Sequence, residues 1–410
     1  MKVVDFLIVG GSASGTTAAE VIRSIKPESS ISIISDEQHE QYSRVLIPHY
    51  IRHKVNRDQV FLKKPEWYQE KKIDLVKGVK AQSLKPSRHE LTASNGEVYQ
   101  YKKLLISIGG YVIALSVPGI GLGNVLYMRT IEDADKIINS AKQSKRAVII
   151  GGGFIGLEFC SCLKLNGVLD ITVLVREPYY WSVKLDEASS KVLVGVLERN
   201  GIKILTNEEA DHFEASAVVT KSSKRFEADI VGVGIGIKSD LSWLDGTGID
   251  INRAIVTNEY LETNVQDVYA AGDCAEFKDV IFGRQHIIGN WANATSQGNA
   301  VGKNMSGVKT VFETASSYSI NFFDGACSFI GVTEPEFADE VISRGSVEAG
   351  KMARIFIKII GGVMRIVGAT VINDPMEVGP LTMAVKNKTD VASKKESIAD
   401  PNFDLSKLLG

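Results

Sequence analysis

The sequence is poor in cysteine, balanced in charge and free of long apolar runs. It has four cysteines in 410 residues, Cys160, Cys162, Cys274 and Cys327. Their spacing does not match that of metal ligands, so we predict no metal site and expect reduced core thiols. The net charge of -2 arises from interspersed acidic and basic residues, which argues against nucleic-acid partners and against a polybasic membrane anchor.

No apolar run approaches the roughly 20 residues that a membrane-spanning helix requires. The first apolar strand begins within three residues of Met1, which leaves no space for a signal peptide. The sequence therefore predicts a cytoplasmic protein without a membrane span. A chain of 410 residues is also too long for one hydrophobic core, so two or three domains are expected.

The sequence contains the same kind of glycine-rich loop twice. Each loop follows a short apolar run and precedes a helical pattern, as in dinucleotide-binding βα units. The first glycine makes the strand-to-helix turn, the second admits a pyrophosphate to the backbone N–H groups, and the third lets the helix pack closely. We therefore predict two bound dinucleotides. The residues expected to hold them are Gly10, Ser12, Ser14 and Gly15 in the first loop, and Gly151, Gly153, Ile155 and Gly156 in the second.

The order of these patterns predicts an α/β fold with two Rossmann-like dinucleotide-binding domains and a small C-terminal α+β domain. Residues 119–236 are assigned to the second nucleotide domain, which is inserted into a first domain of residues 1–118 and 237–311. Residues 312–410 then form the third domain, because their pattern changes to short strands and one helix. The last twenty or so residues are polar and are expected to form a partly ordered tail.

Carboxylates near the end of the second strand of each nucleotide domain are candidates for binding a ribose. In the first domain, Asp36 or Glu37 follows the loop by about 20 residues, the usual spacing of such an acid. In the second domain, the strand ends in Val175-Arg176-Glu177. Arg176 favours the 2'-phosphate of NADPH, whereas an inward-turned Glu177 favours NADH, and the balance leans to NADPH.

In this order the motifs resemble the FAD-dependent pyridine nucleotide-disulfide oxidoreductase superfamily, of the glutathione reductase type. The likeness is greatest to rubredoxin reductases, ferredoxin reductases and the flavin module of assimilatory nitrite reductases, and it covers residues 1 to about 310. Besides the two loops, the motifs that carry it are Tyr42-Ser43-Arg44, Ile108-Gly109-Gly110 with Pro118-Gly119, and Gly272-Asp273-Cys274-Ala275 followed by Trp291 to Gly298.

The resemblance implies FAD at the first loop and NADPH or NADH at the second. It implies that Asp273 hydrogen-bonds the ribityl chain and that Arg44 lies beside the flavin, although Arg44 also fits a surface role. Gly109 and Gly234 are counted with the cofactor-binding residues.

Two residues are candidates for a catalytic role through the same resemblance. Glu158 is expected near the nicotinamide, although a glutamate in a first helical turn is also favourable with the helix dipole. His49 stands where ferredoxin reductases usually have a lysine near the flavin. It is expected either to titrate near flavin N5 or to be a packing or surface histidine.

The chain departs from the disulfide reductases in its cysteines. It has no Cys-x4-Cys pair, and Val45 stands where single-cysteine relatives have their thiol. The expected function is therefore that of an NAD(P)H oxidoreductase that passes hydride to FAD and electrons to a small rubredoxin or ferredoxin. Lys386, Lys388, Lys394 and Lys395 either contact that acidic partner or are simply solvated.

Other functions stay open at this stage. An NAD(P)H oxidase or quinone reductase, and a flavin subunit of a larger dehydrogenase complex, fit the same motifs. A flavin-based sensing and interaction protein, similar to apoptosis-inducing factor, is an alternative of another class. A homodimer formed through the third domain is a further open alternative.

Overall fold

The computed structural model of the chain describes residues 1–409. The helices of this part are α1 (Ala13–Ile25), α2 (Ile47–Ile51), α3 (Pro65–Glu70), α4 (Ile131–Ala141), α5 (Phe154–Leu165), α6 (Glu187–Arg199), α7 (Trp291–Met305), α8 (Pro375–Lys386) and α9 (Lys395–Ile398). Across residues 1–409, every helix falls short of the length and apolar character that a bilayer span requires.

The strands are short and numerous. They are β1 (Lys2–Val9), β2 (Ile31–Ser35), β3 (Ile73–Lys77), β4 (Ala81–Lys85), β5 (Glu90–Ala93), β6 (Val98–Ile106), β7 (Tyr111–Val112), β8 (Val125–Leu126), β9 (Arg146–Ile150), β10 (Asp170–Val175), β11 (Ile202–Thr206), β12 (Ala210–Glu214), β13 (Ala217–Thr220), β14 (Arg225–Glu227), β15 (Ile230–Val233), β16 (Ile237–Lys238), β17 (Ile255–Thr257), β18 (Val268–Ala270), β19 (Ala275–Asp279), β20 (Arg284–His286), β21 (Ser317–Phe322), β22 (Gly325–Gly331), β23 (Glu340–Ser346), β24 (Lys351–Ile360) and β25 (Val363–Ile372).

The first compact unit contains residues 1–46, 55–111 and 237–314. Its main sheet has the order β3-β2-β1-β6-β5-β4, and β18 also pairs with β6. Strands β1, β2, β3, β6 and β18 pair in parallel, whereas β4, β5 and the beginning of β6 pair antiparallel. The first glycine loop follows β1, which lies between β2 and β6. It is therefore at the carboxyl edge of the sheet, where open α/β sheets bind ligands.

Strand β1 is buried on both faces of this sheet. Leu7 and Val9 pack into one core cluster, while Phe6 and Ile8 pack into the other, as the alternation of side chains along a strand requires. The continuous apolar run before the first loop is thus the sequence signal of a parallel strand covered on both sides.

Helix α7 packs closely against α1 through two glycines. A Cβ built on Gly298 would lie 2.5 Å from the carbonyl oxygen of Ser14, and one on Gly302 would lie 2.9 Å from that of Ala18. Larger residues at these two positions would push the helices apart. The glycines therefore fix the beginning of α1, where the first loop ends.

The second compact unit contains residues 47–54, 112–236 and 315–410. It has a sheet of order β11-β10-β9-β15-β8, whose neighbouring strands pair in parallel, and an antiparallel ribbon β12-β13-β14. A further antiparallel sheet has the order β21-β22-β25-β24-β23 and carries α8 against β25. The division into three domains stays a prediction, since these units join residues 47–54 and the C-terminal sheet to the inserted nucleotide domain.

The expectation of a partly ordered C-terminal tail is wrong. Ile398, Leu405 and Leu408 are buried. Arg344 is 4% exposed and donates hydrogen bonds to the carbonyl oxygens of Ile398 and Phe403, at 3.1 and 3.0 Å. A few apolar side chains among many polar ones, together with one buried arginine, are enough to hold this segment in place.

Candidate functional site

The first glycine loop has the shape of a pyrophosphate cradle. Gly10 has a φ of +108°, and a Cβ there would lie 2.2 Å from the carbonyl oxygen of Ser107. A Cβ on Gly15 would lie 1.9 Å from the carbonyl oxygen of Gly10. Ser12 precedes α1 without a side-chain cap, and the first turn has no acidic residue. The positive end of the helix is thus available to an anion, so the loop fits a dinucleotide.

The segment that contains Asp273 lies beside this loop. The hydroxyl of Ser14 donates to the carbonyl oxygen of Ala271 at 3.4 Å, and a Cβ on Gly272 would lie 2.8 Å from the Ser14 Oγ. The N–H of Gly272 donates to Oε1 of the buried Gln297 at 2.6 Å. The structure therefore brings together two motifs that are about 260 residues apart in the chain.

The two carboxylates that follow β2 have different partners. Asp36 accepts a hydrogen bond of 2.6 Å from the Tyr111 hydroxyl. Glu37 forms an ion pair with Arg44. Burial lowers the pKa of Arg44, but Glu37, Tyr42 and Asp273 together raise that pKa above its ordinary value. Arg44 is thus held as a cation next to Glu37 and within the electrostatic range of Asp273.

Gly109 forms part of the same carboxyl edge of the sheet. It has a φ of +65°, which favours glycine, and its carbonyl oxygen accepts a hydrogen bond of 2.6 Å from the Ser239 hydroxyl. This contact attaches the turn after β6 to the returning chain of the first unit.

The second loop repeats the geometry of the first. Gly151 has a φ of +110°, and a Cβ there would lie 2.5 Å from the carbonyl oxygen of Gly234. A Cβ on Gly156 would lie 2.3 Å from the carbonyl oxygen of Gly151, and one on Gly234 would lie 2.9 Å from Cβ of Ile155. Gly153 precedes α5 without a side-chain cap, and no acid occurs in the first turn. This loop therefore also fits a dinucleotide pyrophosphate.

Glu158 lies in the second turn of α5, not in the first as the sequence suggested, because the helix begins at Phe154. Stabilisation by the helix dipole is therefore a poor explanation for it, since that effect falls off within the first turn. Burial raises the pKa of Glu158 to about 7, while the positive charge of Arg52 lowers it. The carboxyl group can consequently hold or release a proton near neutral pH.

Arg52 is fixed by several contacts within the second unit. Its Nε donates to the carbonyl oxygen of Pro48 at 3.0 Å, and Nη1 lies 3.4 Å from the Ser161 hydroxyl and from the Asn321 carbonyl oxygen. The same short segment carries His49. Burial, together with the charges of Arg52 and Lys54, lowers the pKa of His49, so this imidazole is neutral at pH 7.

Arg176 and Glu177, which the sequence predicts to decide nucleotide preference, are paired with each other. The Arg176 Nε lies 2.8 Å from Glu177 Oε1, and the arginine side chain is 73% exposed against 26% for the glutamate. A 2'-phosphate would have to compete with this carboxylate for the guanidinium group. The structure thus gives no preference for NADPH through Arg176.

Two aromatic residues at the second loop were not among the residues predicted from the sequence. Tyr180 and Trp181 are buried and lie against the loop glycines. The signal was present in the aromatic run Tyr179-Tyr180-Trp181 after the second strand of the domain. The sequence does not show, however, that this aromatic run packs against the loop, because that contact depends on the backbone conformation.

All four cysteines are buried and free of disulfide bonds. Burial raises the pKa of Cys160 and of Cys274 to about 12, and raises those of Cys162 and Cys327 as well. Their thiolate forms are therefore scarce at neutral pH. Within residues 1–409, no group of three or more His, Cys, Asp or Glu side chains is arranged to hold a metal ion.

Some of the C-terminal lysines are used within the fold. Lys395 pairs with Glu340 at 2.6 Å, and the Lys394 ammonium donates to the carbonyl oxygen of Lys407. Lys386 is exposed on α8. The lysines thus do not form one uncommitted basic surface.

Two glycine cradles on parallel sheets, one joined to an acidic Gly-Asp turn, define a protein that binds two dinucleotides. Residues 4–298 match the pyridine nucleotide-disulphide oxidoreductase family, and the chain belongs to this family. The predictions of an FAD-dependent NAD(P)H oxidoreductase, and of FAD and NADH or NADPH as cofactors, are confirmed at this level.

Similar proteins support the same class. The chain is 26% identical to a nitrite reductase [NAD(P)H] of Bacillus subtilis over 97% of its own length, but it spans only 49% of the length of that enzyme. It is 29% identical to the NADH-rubredoxin oxidoreductase of Clostridium acetobutylicum, with coverage of 87% of this chain and 85% of the relative.

The fold agrees with a solved structure over nearly the whole chain. A chain of the covalent putidaredoxin reductase-putidaredoxin complex superimposes with a TM-score of 0.91 and 23% identity, and the match covers 99% of this chain and 98% of the other. The predicted α/β fold of the glutathione reductase type is thereby confirmed.

Proposed function

We propose that this chain passes hydride from NADPH or NADH, bound at the second loop, to FAD bound at the first, and passes electrons on to a small redox protein of the rubredoxin or ferredoxin type. The observation that carries the proposal is the combination of two glycine cradles with four buried, protonated thiols. When bound, FAD supplies hydride acceptance and release of single electrons, so no thiol has to take part.

On the first unit, Gly10, Ser12, Ser14 and Gly15 would hold the FAD pyrophosphate. Between the two acids after β2, we assign the adenosine ribose to Asp36. Its present partner is a neutral hydroxyl, whereas the carboxylate of Glu37 is neutralised by Arg44.

Three further residues complete the proposed FAD site. Asp273 would bind the ribityl chain, and Arg44 would place a fixed positive charge near the flavin. Gly109 would let the backbone turn at the sheet edge without a side chain in the way.

On the second unit, Gly151, Gly153, Ile155 and Gly156 would hold the nucleotide pyrophosphate, with Gly234 closing the turn beneath. This assignment rests on the cradle geometry, because the backbone leaves no space for a Cβ at Gly151 or Gly156. Arg176 and Glu177 would line the adenosine end, where the choice between NADH and NADPH is made.

Two side chains would serve the reaction itself. Glu158 would hold a proton on its carboxyl group near neutral pH, which keeps negative charge away from the nicotinamide until the group ionises. His49 would be a neutral imidazole at pH 7, so it would add no positive charge near the flavin and would not donate a proton.

The type of acceptor is supported by the NADH-rubredoxin oxidoreductase relative, of which the chain covers 85%. A second candidate is the flavin-bearing part of a larger enzyme, because the chain matches 49% of a nitrite reductase. An NAD(P)H oxidase or quinone reductase and a flavin-based sensing protein are less supported alternatives. The cytoplasmic location and the homodimer stay predictions.

An anaerobic titration of the purified holoprotein tests the proposal. NADPH and NADH are added in separate experiments while the visible absorbance of the flavin is recorded, and oxidised rubredoxin or ferredoxin is then added to the reduced protein. We expect the flavin to be bleached by one nucleotide at least, and to be reoxidised rapidly by the redox protein.

Other outcomes distinguish the alternatives. Reoxidation by dioxygen or a quinone but not by redox proteins would identify an oxidase or quinone reductase. Slow reoxidation by every acceptor would favour a sensing role or a missing partner subunit. A flavin that neither nucleotide bleaches would contradict hydride transfer altogether.

A further inference from the structure

A residue with an unfavourable backbone conformation lies directly behind the second glycine loop. Trp181 has a φ of +60°, in the left-handed region that bulky side chains rarely adopt. The residue is 7% exposed, and its carbonyl oxygen accepts hydrogen bonds from the N–H groups of Lys184 and Leu185, both at 2.9 Å. Such a conformation persists only when its surroundings enforce it, and it often occurs where a site must be preorganised.

The left-handed turn changes the direction of two neighbouring side chains. In an extended chain, Tyr180 and Trp181 would point to opposite sides. Here a Cβ on Gly153 would lie 3.9 Å from the Trp181 Nε1, and one on Gly156 would lie 3.3 Å from the Tyr180 hydroxyl. That hydroxyl is also 3.5 Å from the Gly153 carbonyl oxygen. Both rings therefore back the same loop.

Aromatic packing holds Trp181 in place. Its ring centroid is 4.5 Å from that of Phe154, edge to face, and 5.0 Å from that of Phe329. Phe154 is the first residue of α5 and also contacts Phe329, with the centroids 5.6 Å apart. Edge-to-face contacts of this kind are favourable and directional. Trp181 thus connects the beginning of α5 with the antiparallel sheet of the same unit.

We propose that Trp181 is a positioning residue for the pyridine nucleotide. Its backbone conformation and ring contacts hold Gly153 and the first turn of α5 in the pyrophosphate-binding shape before the nucleotide arrives. The nucleotide then binds without having to order the loop, which increases affinity. This inference rests on the proposed function only in that the second loop binds NADH or NADPH.

The test uses two substitutions and a matched control in the holoprotein. Trp181→Gly removes the strain of the positive φ but also removes the ring, whereas Trp181→Phe keeps an aromatic ring. Ser223→Gly is the control, because Ser223 also has a positive φ, of 63°, but lies exposed in the turn between β13 and β14. KM and kcat for NADH and NADPH are measured with ferricyanide as acceptor, and Tm is recorded for each variant.

We expect Trp181→Gly to raise KM by about ten-fold or more with kcat within about two-fold, the pattern of lost nucleotide binding. Trp181→Phe should recover most of this loss, and Ser223→Gly should not change KM. A wild-type KM in Trp181→Gly, even with a lowered Tm, would overturn the proposal. So would a Trp181→Phe variant that folds but recovers no affinity.

A spectroscopic measurement keeps the inference testable if Trp181→Gly does not fold. The other tryptophans, Trp67, Trp243 and Trp291, lie in the first unit. Addition of NAD⁺ should change the tryptophan fluorescence of the wild-type protein, and Trp181→Phe should abolish most of that change. An undiminished change in this variant would overturn the inference. A wild-type flavin that neither nucleotide reduces would instead contradict the proposed function.

Discussion

The positive charge of Arg52 opposes the effect of burial on Glu158. Burial raises the pKa of this carboxyl group from 4.5 to about 7, and the guanidinium limits the rise. Arg52 itself is held by the Pro48 carbonyl oxygen at 3.0 Å. Helix α5, which follows the second glycine loop, therefore carries a carboxyl group whose charge changes within the ordinary working range of pH.

We expect this group to make folding stability depend on pH. The pKa is raised in the folded state, so the stabilisation by the neutral acid is complete below pH 4.5 and is lost as pH rises through about 7. Glutamine mimics the neutral acid. The Tm of the wild-type protein should therefore fall relative to that of Glu158→Gln across this window.

Thermal unfolding at a series of pH values measures this difference. Glu187→Gln is a suitable control, since the Glu187 side chain is 65% exposed and should give a Tm difference that hardly varies with pH. Parallel curves for wild type and Glu158→Gln would contradict a raised pKa.

A substitution in one glycine loop should impair the cofactor bound there and leave binding at the other loop intact. Gly15→Ala would place a methyl group 1.9 Å from the Gly10 carbonyl oxygen, and Gly156→Ala would place one 2.3 Å from that of Gly151. We expect Gly15→Ala to purify without flavin. Gly156→Ala should keep its flavin but show at least about a ten-fold higher KM for the nucleotide.

Flavin content and reduction kinetics check both variants. Gly379→Ala is the control, because a Cβ at Gly379 meets no heavy atom within 4 Å. Flavin bound normally by Gly15→Ala would show that the first loop does not hold it.

Release of Arg176 from Glu177 should shift the nucleotide preference. In Glu177→Gln the guanidinium loses the carboxylate that lies 2.8 Å away. We expect the ratio of kcat/KM for NADPH to that for NADH to rise by about five-fold, the size of one exposed charge interaction of about 1 kcal/mol. The ratio is obtained from initial rates with both nucleotides. An unchanged ratio would place the 2'-position of the nucleotide away from Arg176.

Arg344 should be important for stability. It pairs with Glu377 at 2.9 Å and donates hydrogen bonds to backbone carbonyl groups of the C-terminal segment, residues 392–409. Arg344→Met would leave the Glu377 carboxylate and these carbonyl groups without their partner. We expect a loss of about 3 kcal/mol in the free energy of unfolding.

Urea unfolding gives the size of this effect. Lys351→Met is the matched control, because Lys351 also forms an ion pair, with Asp374, but its side chain is 51% exposed. It should cost less than about 1 kcal/mol. Equal losses in both variants would contradict a special role of the buried arginine.

Thiol titration provides a direct check on the cysteines. Because all four are buried and their pKa values are raised, the native protein should react only slowly with a thiol reagent at pH 8, while the unfolded protein should expose all four. Rapid reaction of one thiol in the native protein would reopen a role for cysteine in electron transfer.

The elements around the two loops were predictable from the sequence because their signals are local. Apolar runs that end in glycine determine β1 and β9, and the helices follow at once. The helical pattern in the sequence becomes recognisable only at Thr16 and Leu157, about one turn after the helices begin. The structure begins them at Ala13 and Phe154. The first turns contain glycine, and in α1 also serine, which are poor helix formers, so the sequence pattern did not indicate a helix there.

Contacts between distant parts of the chain were not predictable. Arg52 reaches the Asn321 carbonyl oxygen across 269 residues, and the pairing of Glu37 with Arg44 depends on how the chain turns after β2. The conformation of Trp181 likewise depends on Phe329, which lies on another sheet. A pattern within one sequence window carries no information on such partners.

The approach of α7 to α1 has a consequence for the order of events during synthesis. Gly298 follows its neighbour Ser14 by 284 residues (298 - 14), so it leaves the ribosome much later. Until then α1, and the first loop that precedes it, lack the helix against which they pack in the complete fold. We therefore expect flavin to bind only after α7 has been synthesised, and nascent chains that stop short of α7 should remain colourless.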